Sequence, residues 1–147
     1  MLAAFSNLGE MEAWHLTVYA NQAVGVGGGL FQDGPVANLR NSVIAGNTGV
    51  NCTRWNTIAS LGNNLEDSNS CQLTLIGDLP NTAPQLGPLQ ANGGVAPTHA
   101  PLAGSPAINS ANAAECLVVD ERQVPRPQGG ACDIGAVEVS NNDVGVS

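Results

Sequence analysis

Thr17-Val18-Tyr19-Ala20-Asn21 and Ser42-Val43-Ile44-Ala45-Gly46-Asn47 repeat one another at an offset of 25 residues (Thr17 to Ser42), with one extra residue before the second Asn. Self-similarity at that period constrains a fold more than any single element does. Both runs are β-branched and closed by Asn. Gly27-Gly28-Gly29-Leu30-Phe31 lies between them, and a comparable apolar stretch, Thr57 to Leu65, follows. A period in the twenties suits one coil of a parallel β-solenoid with two or three short strands per turn. A single coil cannot bury its inward side chains, whereas stacked coils pair their strands and align Val on Val and Asn on Asn. The predicted class is therefore all-β, a parallel β-helix whose coils occupy residues 1–76. A β-sandwich also spaces short strands regularly, but over longer alternating runs and with more aromatics than the 3% found here.

The charge is sparse and lopsided, with twelve acids, four Arg and no Lys, for a net charge of −8. Nucleic acid is excluded as a partner, because phosphate binding needs clustered cations. Attraction to an anionic membrane surface is excluded on the same ground, and no segment has the length of a membrane span. Met1-Leu2-Ala3-Ala4-Phe5 is apolar, but no basic region precedes it and Glu10 and Glu12 end the run, so it does not read as a secretion signal.

Four cysteines form two local pairs, Cys52 with Cys71 and Cys116 with Cys132, and neither has the CxxC spacing of metal or redox sites. In an oxidising compartment each pair would close a loop worth about 3 kcal/mol. Four cysteines allow three connectivities, and four reduced thiols are the other reading. The nearest-neighbour pairing and an extracellular or cell-surface location are the expectation.

From Gly77 the texture changes, since eight of the nine prolines fall between Pro80 and Pro127 and obstruct a regular ladder. Residues 77–139 read as a Pro-rich C-terminal cap over the last coil, which would remove an aggregation-prone edge, and residues 140–147 as a flexible polar tail. Ordered motifs run through this region: Gly62-Asn63-Asn64-Leu65, Cys71, Pro84 to Leu89 (PQLGPL), Asn92-Gly93-Gly94, Pro97 to Leu102 (PTHAPL) and Gly104 to Ile108 (GSPAI). Asp120 and Arg122 then lead into Arg126-Pro127 and Cys132-Asp133-Ile134-Gly135-Ala136. Together they resemble the closing motif of bacterial secreted right-handed parallel β-helix proteins of the choice-of-anchor Q group. Asn109 stands where that motif often has Asp, and Gln123-Val124 replaces a more usual Gly. The resemblance implies a right-handed winding and a surface location. Such helices usually have more coils and an N-terminal cap, and residues 1–15 read as a coil that begins mid-pattern. An open N-terminal face that meets further β-helix coils or another subunit is therefore expected.

Asp120, Arg122, Arg126 and Asp133 concentrate charge within the closing motif. As a functional site they would bind sugar acids, with calcium-bound carboxylates and a cationic base. As a structural one, Arg122 and Arg126 pair with Asp120 and Asp133 to pin the cap, which is the expectation. His15 and His99 have no ligand partners in sequence, so no metal site is predicted. Ser42, Ser60 and Ser105 lack a nucleophile elbow. Asp33, Asp67 and Asp78 in Asn-rich turns offer oxygens to Ca²⁺, but the nonapeptide calcium repeat is absent and no cofactor is expected. The Gly25–Gly29 run reads as a tight corner. The functional expectation is a structural, adhesive or assembly module, with surface polysaccharide as a candidate partner. The rival is a polysaccharide lyase or glycoside hydrolase built on the same scaffold.

Overall fold

The computed structural model describes residues 5–25 and 27–140, so most of the expected tail lies outside the described residues. Nine short strands lie in three sheets. The first coil contributes β1 (Phe5–Asn7), β2 (Met11–Trp14) and β3 (Thr17–Tyr19). The second adds β4 (Leu30–Gln32), β5 (Val36–Arg40) and β6 (Val43–Ala45), and the third β7 (Cys52–Arg54), β8 (Thr57–Ser60) and β9 (Leu65–Glu66). Successive strands enter the three sheets in rotation, giving the orders β1-β4-β7, β2-β5-β8 and β3-β6-β9. Every neighbouring pair is parallel. The chain is all-β and solenoid-like; the sole helical element among the described residues is a 3-10 turn at Ala113–Glu115.

The repeat runs one residue longer than the sequence alignment suggests. Thr17 pairs with Val43, not Ser42, and the Asn21 amide meets Asn47 at a separation of 26 residues. The extra residue is no insertion, because Ala20 and Gly46 both take left-handed φ at the same turn. Two sheets earlier, Asn7 bonds Gln32 at a separation of 25, and from the second coil to the third the Ser42 amide meets Asn64 at 22. The Thr57–Leu65 stretch splits at a corner: Thr57–Ser60 joins the second sheet and Leu65 the third.

At the corner before the third sheet, His15, Asn41 and Asn63 share left-handed φ values of 54°, 52° and 56°, a region that Asn tolerates better than most residues. The next residue in each coil builds a ladder. Ser42 Oγ accepts the Leu16 amide at 3.1 Å, Asn64 Oδ1 the Ser42 amide at 3.0 Å, and Asp78 Oδ1 the Asn64 amide at 2.9 Å. Each side-chain oxygen thus satisfies a corner N–H of the preceding coil, a group that is costly to bury unpaired. At the glycine-rich corner the backbones nearly touch, and a Cβ on Gly29 would collide with the Asn51 carbonyl.

Inside the winding, Ala13, Val18, Leu30, Ala37, Leu39, Ile44 and Ile58 form a dry aliphatic core. Cys71 and Leu73 join it from the loop after the third coil, which the Cys52–Cys71 disulfide ties back to β7. Glu66 sits inward beneath Ile44 and is fully buried. Its carboxylate accepts from Ser68 Oγ, Ser70 Oγ, Asn51 Nδ2 and the amides of Ser70 and Cys71. A buried carboxylate is tolerable when so many donors face it. It closes the interior at that end, a role the sequence reading did not assign.

The third sheet is buried on both faces. Its outer residues Val43, Ala45 and Leu65 pack on Ala107, Ala111, Cys132 and Ile134. The C-terminal segment first pairs Leu79 beside Leu65 of the last coil. It then makes an antiparallel excursion through Leu86–Pro101 and Gln90–Thr98, and afterwards lies across the flank of all three coils. Within it, Cys116 is disulfide-bonded to Cys132. Replacing Leu39 by Ala should cost about 2–5 kcal/mol by denaturant unfolding, whereas Val95→Ala, at a fully exposed position, should stay within about 0.5 kcal/mol.

Candidate functional site

The four charged residues singled out in the closing motif come together on the flank beside the first coil. Asp120 accepts from the amides of Arg122 and Val124 on one oxygen, and from Arg122 Nε and the Glu138 amide on the other. Arg122 also pairs with Asp120 through Nη2 at 2.9 Å and donates to the carbonyls of Asn92 and Glu138, so it joins three separate turns.

Arg126 departs from the expected pairing. Its acid partner is Glu138 at 2.9 Å, not the Asp133 carboxylate, and it reaches Asp133 and Gly135 only through their carbonyls. The Asp133 carboxylate instead accepts the amides of Asn109 and Val139. Glu138 is fully buried and also accepts the Gln128 and Asp133 amides. Sequence reasoning missed it, although an acid inside the apolar run Ile134–Val139 is a signal, since such a residue is almost never buried without a partner. Every carboxylate oxygen of the cluster already accepts a hydrogen bond, leaving it poorly suited to bind a sugar acid or move a proton.

The corner column attaches this cluster to the coils. Asn63 donates to the Ser110 carbonyl, and Asn41 accepts the Asn112 amide at 2.8 Å while donating to the Glu115 carbonyl. His15 is buried, with Nδ1 3.1 Å from the Asp133 carbonyl and Nε2 3.1 Å from Asn41 Nδ2. These partners require a neutral ring that donates from Nδ1 and accepts at Nε2. Higher up, Thr17 Oγ1 accepts the Ala136 amide and Glu115 pairs with Arg40, whose guanidinium lies over Trp14. His99, from the Pro-rich excursion, packs its ring against Tyr19. Asp67 accepts from the Gly46 amide and Asn51, and Asp78 from Ser60, Asn64 and the Leu75 amide. The described residues hold no cluster of three or more His, Cys, Asp or Glu arranged for a metal.

Between the first coil and the flank lies a cleft of roughly 610 Å³, lined by Met11, Ala13, Leu16, Leu117 and Val119 with His15 and Arg126 at its polar side. In the first two sheets burial peaks in the middle coil and falls off on both sides, with only Cys52 of β7 and Ile58 of β8 buried in the third. Strand β4 is buried throughout and β5 at alternate residues, while β1 is largely exposed and only Ala13 of β2 is buried. Among the described residues no strand pairs with the outer edge of β1, β2 or β3. Asn47 Oδ1 receives the amide of Asn21, yet Asn21 Oδ1 has no donor among the described residues. No described helix is long and apolar enough to cross a membrane. Comparison with protein-family models, curated proteins and solved structures finds no match to this chain.

Burial, reinforced by the Arg126 charge, pushes the His15 pKa down to about 4. Burial, against hydrogen bonds from Val139 and Asn109 and with Glu138 adding to it, raises that of Asp133 to about 6. Burial also opposes ionisation of Asp120, but the amides of Glu138 and Val124 and the Arg122 side chain outweigh it and hold the carboxyl below its usual range. Between about pH 6.5 and 4 the unfolded chain protonates His15 and the folded chain does not, so this group removes stability as pH falls. Between about pH 4 and 6 folded Asp133 keeps a proton that the unfolded chain releases, so its contribution is lost as pH rises. The two nearly offset one another in the native chain. Relative to it, His15→Gln should gain stability on acidification from pH 6.5 to 4 and Asp133→Asn should lose it, each by up to about 3 kcal/mol in urea unfolding. Glu138→Gln, which strands buried Arg126, should cost about 3–5 kcal/mol, against less than about 1 kcal/mol for Glu115→Gln at the more exposed pair.

Proposed function

We propose that this chain is an assembly module: the closing segment of a right-handed parallel β-helix at the cell surface or outside the cell, with a structural or adhesive role. The observation that carries this reading is the first coil, whose three parallel strands have no partner on their outer edges among the described residues and border an apolar cleft. Unpaired edges with exposed apolar side chains are a liability that proteins cover. A further parallel coil, from the same β-helix or from another subunit, is the cover whose strand spacing and direction match. Residues 77–139 then serve as the Pro-rich cap, closing the winding along its flank. The two disulfides support an oxidising location, and the closing motif supports kinship with the choice-of-anchor Q group.

Hydrogen exchange tests this directly. In dilute monomer, the amides of β1–β3 that face the open edge should exchange about 100-fold or more faster than their counterparts in β4–β6, which bond to the neighbouring coil. Raising the concentration should slow them as the faces associate, with a matching rise in mass by light scattering. Equal protection of both coils in a monomer that does not associate would show the face already covered and end the proposal.

A further inference from the structure

Arg54 is the one arginine without a bonded partner among the described residues. Arg40 pairs with Glu115, Arg122 with Asp120 and Arg126 with Glu138. The Arg54 side chain makes neither an ion pair nor a hydrogen bond among the described residues, and its Nε, like those of Arg40 and Arg126, is buried with no acceptor. Leaving a half-buried guanidinium unsatisfied is unusual in a chain with three acids for every arginine. The residue ends β7, in register with Gln32, and is held by the sheet rather than by a carboxylate.

Around it is a shallow polar cleft of roughly 550 Å³ lined by Arg54, Trp55, Asn56, Thr57, Ser70 and Gln72. Trp55 is 59% exposed, yet its ring is held edge-on against Phe31 with centroids 4.9 Å apart. Asn56 is anchored by its own bond to the Asp33 carbonyl. An open cation, a fixed indole face and a fringe of amides and hydroxyls are three different chemistries on one turn. A bare anion would use only the first, and an apolar partner only the second. A sugar acid uses all three: its carboxylate matches the guanidinium fork, its C–H face covers the indole, and its hydroxyls reach the polar fringe.

The geometry points to a binding site for uronic-acid residues of an acidic polysaccharide at the β7–β8 corner. It lies apart from the closing-motif cluster and does not depend on the first coil's being covered. Because the protein is acidic overall, Arg54 is the local point at which a polyanion docks, and binding should weaken with salt.

Trigalacturonate, titrated against the native chain and read by tryptophan fluorescence, should give a saturable change that Trp14→Phe retains and Trp55→Phe abolishes. Arg54→Gln should weaken binding about tenfold or more, in line with loss of a charge-assisted pair. Its melting temperature should be unchanged, since the side chain has no partner to lose. The same trisaccharide with its carboxylates reduced to alcohols should also bind about tenfold or more weakly. Unaltered affinity in Arg54→Gln or for the reduced sugar would overturn the proposal. So would sulfate competing as tightly as the trisaccharide, which would mark a bare anion site, or the absence of any saturable change.

Discussion

The fold depends on side-chain oxygens that accept the corner amides of the coil before. Parallel strands supply their own hydrogen bonds along each sheet, but at a corner the backbone turns away and leaves an N–H without a partner. Ser42, Asn64 and Asp78 answer that need in succession, one per coil. A second link joins the first two coils, where Asn47 Oδ1 accepts the Asn21 amide, and Asn51 in the same corner accepts the Asn47 amide in turn. The first series stops at Leu16, which has no oxygen to offer a preceding coil; the second ends on Asn21, which does. A coil stacked on β1–β3 would thus be gripped at the Asn corner and by backbone pairing, and only packed at the Leu corner.

Burial of charge is concentrated where the flanking segment crosses the coils. Buried ion pairs seldom add net stability, because desolvation opposes the attraction, but they penalise any other arrangement. Arg122 and Arg126 each combine one carboxylate with carbonyls from distant turns. That fixes where a segment rich in proline, with little regular pairing of its own, must lie. The third sheet is covered on its outer face in consequence, which leaves the first and second sheets as the surfaces available to a ligand. The Arg54 corner joins those two.

The winding was legible because its signal is periodic: β-branched runs closed by Asn at matching intervals are hard to read otherwise. Register was less so. Aligning Thr17 with Ser42 maximises residue likeness, whereas the chain aligns the left-handed turn at Ala20 with that at Gly46, a backbone property that residue type only hints at. The nearest-neighbour disulfides are present as expected. Arg122 pairs with Asp120 as the sequence suggested, but Arg126 does not pair with Asp133, the acid nearer to it in sequence, because Glu138 is the acid whose side chain faces it. Glu66 escaped notice because an acid before Asp67 in a polar stretch looks solvated; only stacking shows that it continues the inward column of Val18 and Ile44.

Stacked repeats usually behave as a one-dimensional chain in which each unit is held by its neighbours and ends can fray alone. Here one segment is bonded to Asn63, Asn41, His15 and Thr17, and so to every turn of the winding. No single turn can peel away without loosening a strap common to all of them. The molecule is thereby converted from a linear array that melts stepwise into a body that must come apart as a whole.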